Sequence, residues 1–183
     1  MGKYQVVELQ EPPVLPDLGN CKNHLPVYSR DIDPMADFRL EIIPIWKEGM
    51  GCGFGSPMLN PETGEIQGQW PHVHVCDEIY FWIGTDPHDP MDLGGEFELW
   101  VGAGDEAEKF LITRASYIRI PAGTPHLPFV ARKVDRPFIM IAMPLAPMLH
   151  DWEVIPKQPK GVELPDWVDE STIVWPEGAK PEE

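Results

Sequence analysis

Short runs in which apolar and polar residues alternate dominate the chain, whereas helical periodicity is scarce. Runs of this kind, bounded by Gly, Pro, Asn or Asp, are typical of β-strands. The pattern predicts an early strand at 4–9 and further strands at 38–46, 72–83, 96–101, 110–113, 117–120 and 138–143. Turns or loops are expected at 49–55, 60–64 and 84–95, where Gly, Pro, Asn and Asp concentrate. Short strands separated by turns predict an all-β sandwich or barrel.

Proline and tryptophan positions divide the chain into three regions. Residues 1–36 are proline-rich and predict an extended N-terminal arm, and residues 37–150 hold most of the predicted strands and would form the barrel. Residues 151–183 form a proline-rich, acidic C-terminal extension that contains Trp167 and Trp175. Disordered tails rarely keep large aromatic residues, so we expect this extension to wrap over the barrel or over a neighbouring subunit. No internal repeat is visible, which favours one barrel over two.

Composition narrows the classes of partner. The formal net charge of −16 disfavours nucleic acid and anionic membranes. No stretch approaches the ~20 apolar residues that a membrane helix needs, and the first residues lack the apolar core of a secretory signal. Cys21, Cys52 and Cys76 form no CxxC pair, so a disulfide framework is not expected. These features predict a cytoplasmic protein that acts on a small molecule.

The segment 71–78 (PHVHVCDE) carries the candidate chemistry. If it is one strand, alternate residues share a face, and His72, His74, Cys76 and Glu78 point the same way. Imidazole and carboxylate ligands together suit iron, manganese, nickel, zinc, copper or cobalt. Downstream, the segment 121–126 (PAGTPH) is a tight turn that would aim His126 back toward the sheet. The two segments predict a metal site.

The paired patterns HxHxxxE and PxGxxH resemble the two motifs of the cupin superfamily over roughly residues 40–145. The resemblance implies a cupin-type double-stranded β-helix, a jelly-roll barrel, with the N- and C-terminal arms outside it. It also implies one divalent metal ion per subunit, with iron favoured, held by His72, His74, Glu78 and His126. Cysteine binds soft metals well, but Cys76 is expected to be a buried wall residue.

Other residues of these strands are weaker candidates for the site. Continued alternation places Tyr80 and Trp82 inside the barrel. On 96–101, either Phe97, Leu99 and Val101 or Glu96, Glu98 and Trp100 face inward. On 117–120 the choice lies between Tyr117 with Arg119 and Ile118 with Ile120. If the polar sets face inward, Tyr80, Glu98 and Arg119 are candidate catalytic residues, and Arg119 could bind a substrate carboxylate. His88 lies in a loop and is expected to be solvated, with a role in a lid as the alternative, and His24 and His150 are expected to be solvated.

Apolar residues around the histidines favour a small organic substrate. Trp70, Pro125, Leu127 and Phe129 would give a largely apolar mouth, as in many small-molecule pockets. Cupin relatives include dioxygenases, decarboxylases, isomerases, lyases and non-catalytic proteins, so the resemblance leaves the reaction open. We expect a metal-dependent enzyme acting on a carboxylate-bearing molecule, with oxygenation favoured. Decarboxylase, lyase or isomerase chemistry and metal-dependent binding without turnover are the alternatives, and a homodimer is expected.

Overall fold

The computed structural model describes residues 25–30, 32–59, 65–147 and 152–180 of the chain. Within these ranges regular structure consists of strands and two short 3-10 helices, Gly104–Glu106 and Glu170–Thr172. The strands are β1 Leu25–Tyr28, β2 Leu40–Ile45, β3 Gly51–Cys52, β4 Pro57–Leu59, β5 Ile66–Gly68, β6 His72–His74, β7 Glu78–Gly84, β8 Asp92–Val101, β9 Glu108–Arg114, β10 Ser116–Ile120, β11 His126–Val134, β12 Phe138–Pro144 and β13 Trp152–Val154. The all-β prediction is confirmed.

Two antiparallel sheets form the barrel. A five-stranded sheet has the order β1-β2-β12-β7-β10, and a six-stranded sheet has the order β13-β6-β11-β8-β9 with β3 paired to β11. Strands β4 and β5 make a separate hairpin-like pair. Neighbours within the sheets are mostly distant in sequence, which is the arrangement of a jelly roll. The predicted cupin-type double-stranded β-helix is therefore confirmed.

The core lies between the two sheets. Strand β7 buries Glu78, Tyr80 and Trp82, whereas the residues between them are half-buried or exposed. Strand β12 likewise buries alternate residues from Phe138 to Pro144. This two-residue period is what places one face of each strand in the interior. Large apolar side chains that are almost fully buried fill that space: Ile43, Ile45, Trp82, Leu93, Phe97, Leu99, Ile120, Phe138 and Met140.

Most predicted strands coincide with observed ones, but the long predicted strand at 72–83 is wrong. The chain forms β6, bends at residues 75–77 and then starts β7, so β6 and β7 belong to different sheets. Strand β8 begins at Asp92, inside the predicted loop at 84–95. Strand β1 falls within the predicted N-terminal arm. The strand predicted at 4–9 and the turn predicted at 60–64 lie outside the described residues.

The C-terminal segment 152–180 runs along the six-stranded side of the barrel. Its first strand, β13, pairs with β6. Further on, Trp167 donates a hydrogen bond from Nε1 to the carbonyl of Gly49 at 2.5 Å, and its ring lies 5.9 Å from that of Phe54. Trp175 packs on Trp70 with ring centroids 4.4 Å apart. Both tryptophans thus contact the barrel of their own chain.

Neither of the two short helices in the described part of the chain has the length or apolar character needed to cross a membrane.

Candidate metal centre

Three histidines converge inside the barrel on the six-stranded sheet. His72 and His74 are the first and last residues of β6, and His126 is the first residue of β11. His126 lies directly opposite His72 across the strand pair. Because His72 and His74 are two positions apart, they project to the same face. Their ligand nitrogens and that of His126 all lie within 4.8 Å of one another, which is close enough to hold one metal ion.

Glu78 reaches the same place from the opposite sheet. The sequence argument that put it on one strand face with the histidines is wrong, because the bend at 75–77 separates β6 from β7. Glu78 instead begins β7, and its Oε2 lies 3.0 Å from His126 Nε2 and 3.4 Å from His74 Nε2. The two sheets therefore bring a carboxylate and three imidazoles together across the interior.

Hydrogen bonds to the backbone orient two of the rings. His72 Nδ1 lies 3.2 Å from the carbonyl oxygen of Trp70, and His126 Nδ1 lies 3.1 Å from that of Thr124. Nδ1 must carry the proton in each case, since a carbonyl only accepts. The Nε2 atoms of both rings face the shared centre, where His72 Nε2 lies 3.1 Å from His74 Nε2. Metal-binding histidines commonly have their other nitrogen held in this way.

The charges at the centre are consistent with cation binding. Burial, aided by the neighbouring His126 and His74, lowers the pKa of His72 to about 3, so this imidazole is neutral at pH 7. Burial would raise the pKa of Glu78, but contacts with His126 and His74 outweigh burial and hold that pKa well below its usual range. The centre thus combines the ionised carboxylate of Glu78 with the neutral imidazole of His72.

Two buried atoms at the centre have no hydrogen-bond partner among the described residues. They are Glu78 Oε2 and His126 Nε2, which face each other at 3.0 Å without hydrogen-bond geometry. A buried polar atom left without a partner is costly. A cation between the two atoms would satisfy both, and nitrogen and carboxylate donors are those that divalent transition metals take. The residues present therefore fit a metal ion.

A bulge aims His126 into the interior. The pairing register between β11 and β8 shifts between His126 and Phe129. Within this bulge Leu127 has a φ of 81°, in the left-handed region that residues with a side chain rarely adopt. Bulges beside functional sites often redirect a side chain. In the sequence, the only sign of this bulge is the pair of prolines, Pro125 and Pro128, that flank His126 and Leu127.

The bend at 75–77 is fixed by bonds to the turn before β11. Asp77 accepts hydrogen bonds from the backbone N–H of Ala122 at 2.9 Å and from Arg119 Nε at 2.8 Å. The N–H of Gly123 donates to the carbonyl of His74 at 2.8 Å. The N–H of Leu145 donates to the carbonyl of Asp77 at 2.8 Å. These bonds tie the segment that joins His74 to Glu78 to the turn that carries His126.

Tyr80 and Trp82 face the interior, as alternation predicts, and are 4% and 1% exposed. The Tyr80 ring centroid lies 5.9 Å from that of His126. Burial, together with the charge of Glu78, raises the pKa of Tyr80 well above its usual value. Tyr80 is therefore protonated at neutral pH and acts as a hydrogen-bond donor beside the centre. Leu127 and Phe129, expected at an apolar mouth, are buried in the core.

The inward-facing alternative for Glu98 and Arg119 is wrong. Phe97 and Leu99 point into the core, so Glu98 lies on the outer face of β8, where it pairs with Arg132 at 2.8 Å. Ile120 on β10 is buried in the core, so Arg119 points outward, and its side chain is 59% exposed and pairs with Asp77. Neither residue reaches the histidine centre. In both strands the apolar residues face the core and the polar residues face outward.

A buried ion pair that sequence reasoning missed lies on the interior face near Tyr80. Glu41 on β2 is 6% exposed and pairs with Arg39. Ala142 is opposite Glu41 on one side and opposite Tyr80 on the other, so the three residues form one row across the sheet. The N–H of Arg39 donates to the carbonyl of Pro144, the residue opposite Glu78. The sequence signal for this pair was Glu41, a charged residue at a position of β2 that alternation places inside the barrel.

The remaining candidates lie away from the centre or outside the described residues. Cys76 is half-buried in the bend, and burial together with the charge of Glu78 raises the pKa of its thiol. Among the described histidines, cysteines and acids, its sulfur is not part of the close ligand group. His88 is exposed in the loop after β7. His24 and His150 lie outside the described residues.

No family model matches the sequence, and no curated protein matches it significantly. Solved structures with a similar fold include oxalate oxidase in complex with the substrate analogue glycolate, which is 12% identical with a TM-score of 0.45 and covers 81% of this chain and 60% of that chain. The DMSP lyase DddQ from Ruegeria pomeroyi DSS-3 is 18% identical with a TM-score of 0.38, with coverages of 67% and 45%. Oxalate decarboxylase from Lactobacillus farciminis in a formate complex is 14% identical with a TM-score of 0.44, with coverages of 70% and 30%.

The chain therefore spans between 30% and 60% of the lengths of these proteins. At such identities and TM-scores the likeness concerns the fold and carries no argument about reaction or substrate. The chain's own strand order, its histidine cluster and its HxH motif agree with the cupin-type fold that its two sequence motifs predict.

Proposed function

We propose that the chain is a metal-dependent enzyme that acts on a small carboxylate-bearing molecule, with oxygenation as its reaction and iron as its metal. The observation that carries the proposal is the convergence of three imidazole nitrogens and one carboxylate within the barrel. His72, His74, Glu78 and His126 would hold the ion. An ion held there would supply Lewis acidity and, if it is redox-active, the capacity to activate O₂.

The surrounding residues favour chemistry in which the metal does most of the work. Tyr80 stays protonated and so donates a hydrogen bond rather than removing a proton from a substrate. Glu41, the other interior carboxylate near Tyr80, is paired with Arg39. General-base catalysis needs a group that is unprotonated and free to accept a proton. Neither residue meets that requirement, which supports oxygenation over reactions that begin with proton abstraction.

We infer that the Arg39 guanidinium, which pairs with Glu41, also binds the substrate carboxylate. Arg119 was the sequence candidate for this role and points outward. Arg39, just before β2, pairs with the interior Glu41 and donates its N–H to the carbonyl of Pro144, the residue opposite Glu78. Strands are about 4.8 Å apart, so two strands separate these backbones by about 10 Å. That gap suits a small organic acid with one end near the metal ligands and a carboxylate near the guanidinium. Arginine is well suited to such planar, two-point recognition.

The test is turnover by the metal-free protein after loading with Fe(II), Mn(II), Ni(II), Cu(II), Co(II) or Zn(II). Small carboxylic acids, including diketo and catechol acids, are offered with and without oxygen. The proposal predicts product formation only with a redox-active metal, with O₂ consumed in proportion. His126→Ala should abolish turnover, and the exposed-site variant Lys133→Ala should retain it.

Three outcomes would contradict the proposal in different ways. Turnover that persists under strict anaerobiosis, or that is equally fast with Zn(II), would point to decarboxylase or lyase chemistry for that substrate. Tight binding of the acid with no turnover for any metal would point to a binding protein. Equal turnover in the His126→Ala protein would place the active site elsewhere.

A further inference from the structure

The outer face of the five-stranded sheet is apolar at every outward position of its two central strands. On β7 and β12 these positions are Ile79, Phe81, Ile83, Ile139, Ile141 and Met143. An antiparallel sheet with one face in water normally alternates apolar residues inside with polar residues outside. Here the inner face is the more polar one, because it holds Glu41, Glu78 and Tyr80. The pattern is that of a sheet with both faces covered.

Strand register makes these residues one continuous patch. Ile141 is paired with Ile42 of β2 on one side and with Phe81 of β7 on the other. Phe81 is in turn paired with Tyr117 of β10, and the two rings lie 6.0 Å apart. A single apolar row therefore crosses four strands. Side chains in such directly opposite positions are in contact across a sheet.

The exposure of this patch increases toward β10. The outward residues of β2 and β12 are half-buried, whereas Ile83 is 42% exposed and Tyr117 is 71% exposed. Strand β1, before which the first 24 residues lie, is at the opposite edge of the sheet. The C-terminal segment makes its hydrogen bonds on the other side of the barrel, with Gly49, Gly53 and Arg132. The exposed part of the patch thus lies at the edge opposite β1 and away from the described C-terminal segment.

The patch is large enough for an interaction surface. Four strands about 4.8 Å apart and seven residues at about 3.3 Å each give a projected area of roughly 400 Å². Monomeric proteins rarely expose more than a few hundred Å² of contiguous apolar surface. A standard interface buries about 800 Å² per partner. The accessible area of this face exceeds its projected area because the side chains are corrugated, and with a polar rim it would approach that value.

Charge indicates what the occupant is. The chain carries 30 Asp and Glu residues and a net charge of −16, yet none of the outward positions of β2, β7 and β12 is charged. The charged outward residue of β10, Arg119, is opposite Ile79 and is paired with Asp77. A surface that binds a basic partner would carry acidic groups. Two copies of this acidic chain, in contrast, repel each other least where neither surface carries net charge. Loss of charged residues at the centre is also typical of protein interfaces.

We propose that this face binds a second copy of the same chain in a two-fold symmetric dimer, with β7 and β10 of each copy at its centre. The two sheets pack face to face at about 10 Å. Phe81 and Tyr117 supply the aromatic contacts that dominate many interfaces. The dimer contact would pack against the outer face of β7, the strand whose inner face carries Glu78 and Tyr80. Because both copies are acidic, salt strengthens the dimer by screening their repulsion.

The test is the mass of the full-length protein by sedimentation equilibrium from 1 to 100 µM, at low and at moderate salt. We expect twice the chain mass of 20.7 kDa, with tighter association at moderate salt. Tyr117→Glu and Ile83→Glu, at positions exposed enough to tolerate the change, should each weaken the dimer at least tenfold. The matched control is Leu111→Glu, which changes a residue that is 56% exposed on β9 in the other sheet, and it should leave the association constant unchanged.

A mass of 20.7 kDa at every concentration would overturn the proposal and assign the face to another occupant, such as the first 24 residues of the chain. A dimer that is equally sensitive to Leu111→Glu and Tyr117→Glu, or insensitive to both face variants, would place the interface elsewhere. Circular dichroism of each variant separates loss of association from loss of folding.

Discussion

Glu98 illustrates how a charged residue can be buried away from the candidate metal centre. It is 6% exposed, yet it lies on the outer face of β8 beneath the C-terminal segment. It accepts hydrogen bonds from Trp100 Nε1 at 2.7 Å and from Arg132 at 2.8 and 2.9 Å, and Arg132 also donates to the carbonyl of Glu163. The residue therefore links strands β8 and β11 to the covering segment, which is a structural role.

Replacing Glu98 with Gln tests that role. The variant should lose about 2 kcal/mol of unfolding free energy at pH 7, because hydrogen bonds to a charged group contribute about 1.5–3 kcal/mol. Metal content and turnover should be unchanged. Urea unfolding and metal analysis of both proteins make the comparison. A loss of metal or of turnover with unchanged stability would instead return Glu98 to the active site.

The stability difference between wild type and the Glu98→Gln variant should depend on pH. Burial would raise the pKa of Glu98, but hydrogen bonds from Arg132 and Trp100 outweigh burial and lower it from 4.5. A lowered pKa in the folded state stabilises the protein fully above the unfolded value and loses that effect as the pH falls through the folded value. The difference between wild type and Glu98→Gln should thus be constant from pH 7 to about 5 and shrink below 4.5.

At the residue scale the sequence predicted the candidate metal-binding side chains but not how they meet. The HxH spacing places His72 and His74 on one face in any extended strand, so that part followed from local geometry. Glu78 reaches the centre from the other sheet, and the bulge at Leu127 aims His126. Both depend on bonds between distant segments, such as Leu145 to Asp77, which alternation cannot reveal.

At the scale of elements the C-terminal segment supports the strand that carries two of the histidines. Strand β13 pairs with β6, placing Val154 opposite His72. Val174 accepts a hydrogen bond from Trp70 Nε1 at 2.8 Å, and the Trp70 carbonyl in turn lies 3.2 Å from His72 Nδ1. The covering segment thus positions Trp70, and Trp70 orients His72.

Trp175→Ala tests this link. The half-buried indole packs on Trp70, so its removal should lower the unfolding free energy by about 2 kcal/mol, given the area and the ring contact that are lost. Metal affinity should fall several-fold, because Trp70 would no longer be held against His72. Lys180→Ala, near the described end of the segment, is the control. If the Trp175→Ala protein matched the control in both stability and metal affinity, the segment would have no such role.

Fold prediction at this scale succeeded where strands were bounded by glycine or proline. Strands near 38–46 and 138–143 were found because Gly49 and Pro137 lie beside them. The break between β6 and β7 was missed because the segment 75–77 continues the alternation and contains neither glycine nor proline. The bend exists because the chain must cross from one sheet to the other, which is a requirement of the whole barrel.

At the scale of the whole molecule, the candidate metal centre lies between the two sheets and draws residues from both. His72, His74 and His126 belong to one sheet and Glu78 to the other, so an ion bound by all four residues would act as a cross-link through the core. Ligands that bind only the folded state stabilise it, by about 4 kcal/mol at a thousand times the dissociation constant. For a domain of this size that corresponds to about 10 °C in Tm.

The most direct test of this account is the metal content of the purified protein, measured with its Tm before and after chelation. Wild type and Lys133→Ala should bind about one divalent ion per chain and lose about 10 °C on chelation. His74→Ala and His126→Ala should bind no stoichiometric ion, and chelation should leave their Tm unchanged. Full metal occupancy in both histidine variants would contradict the proposed centre.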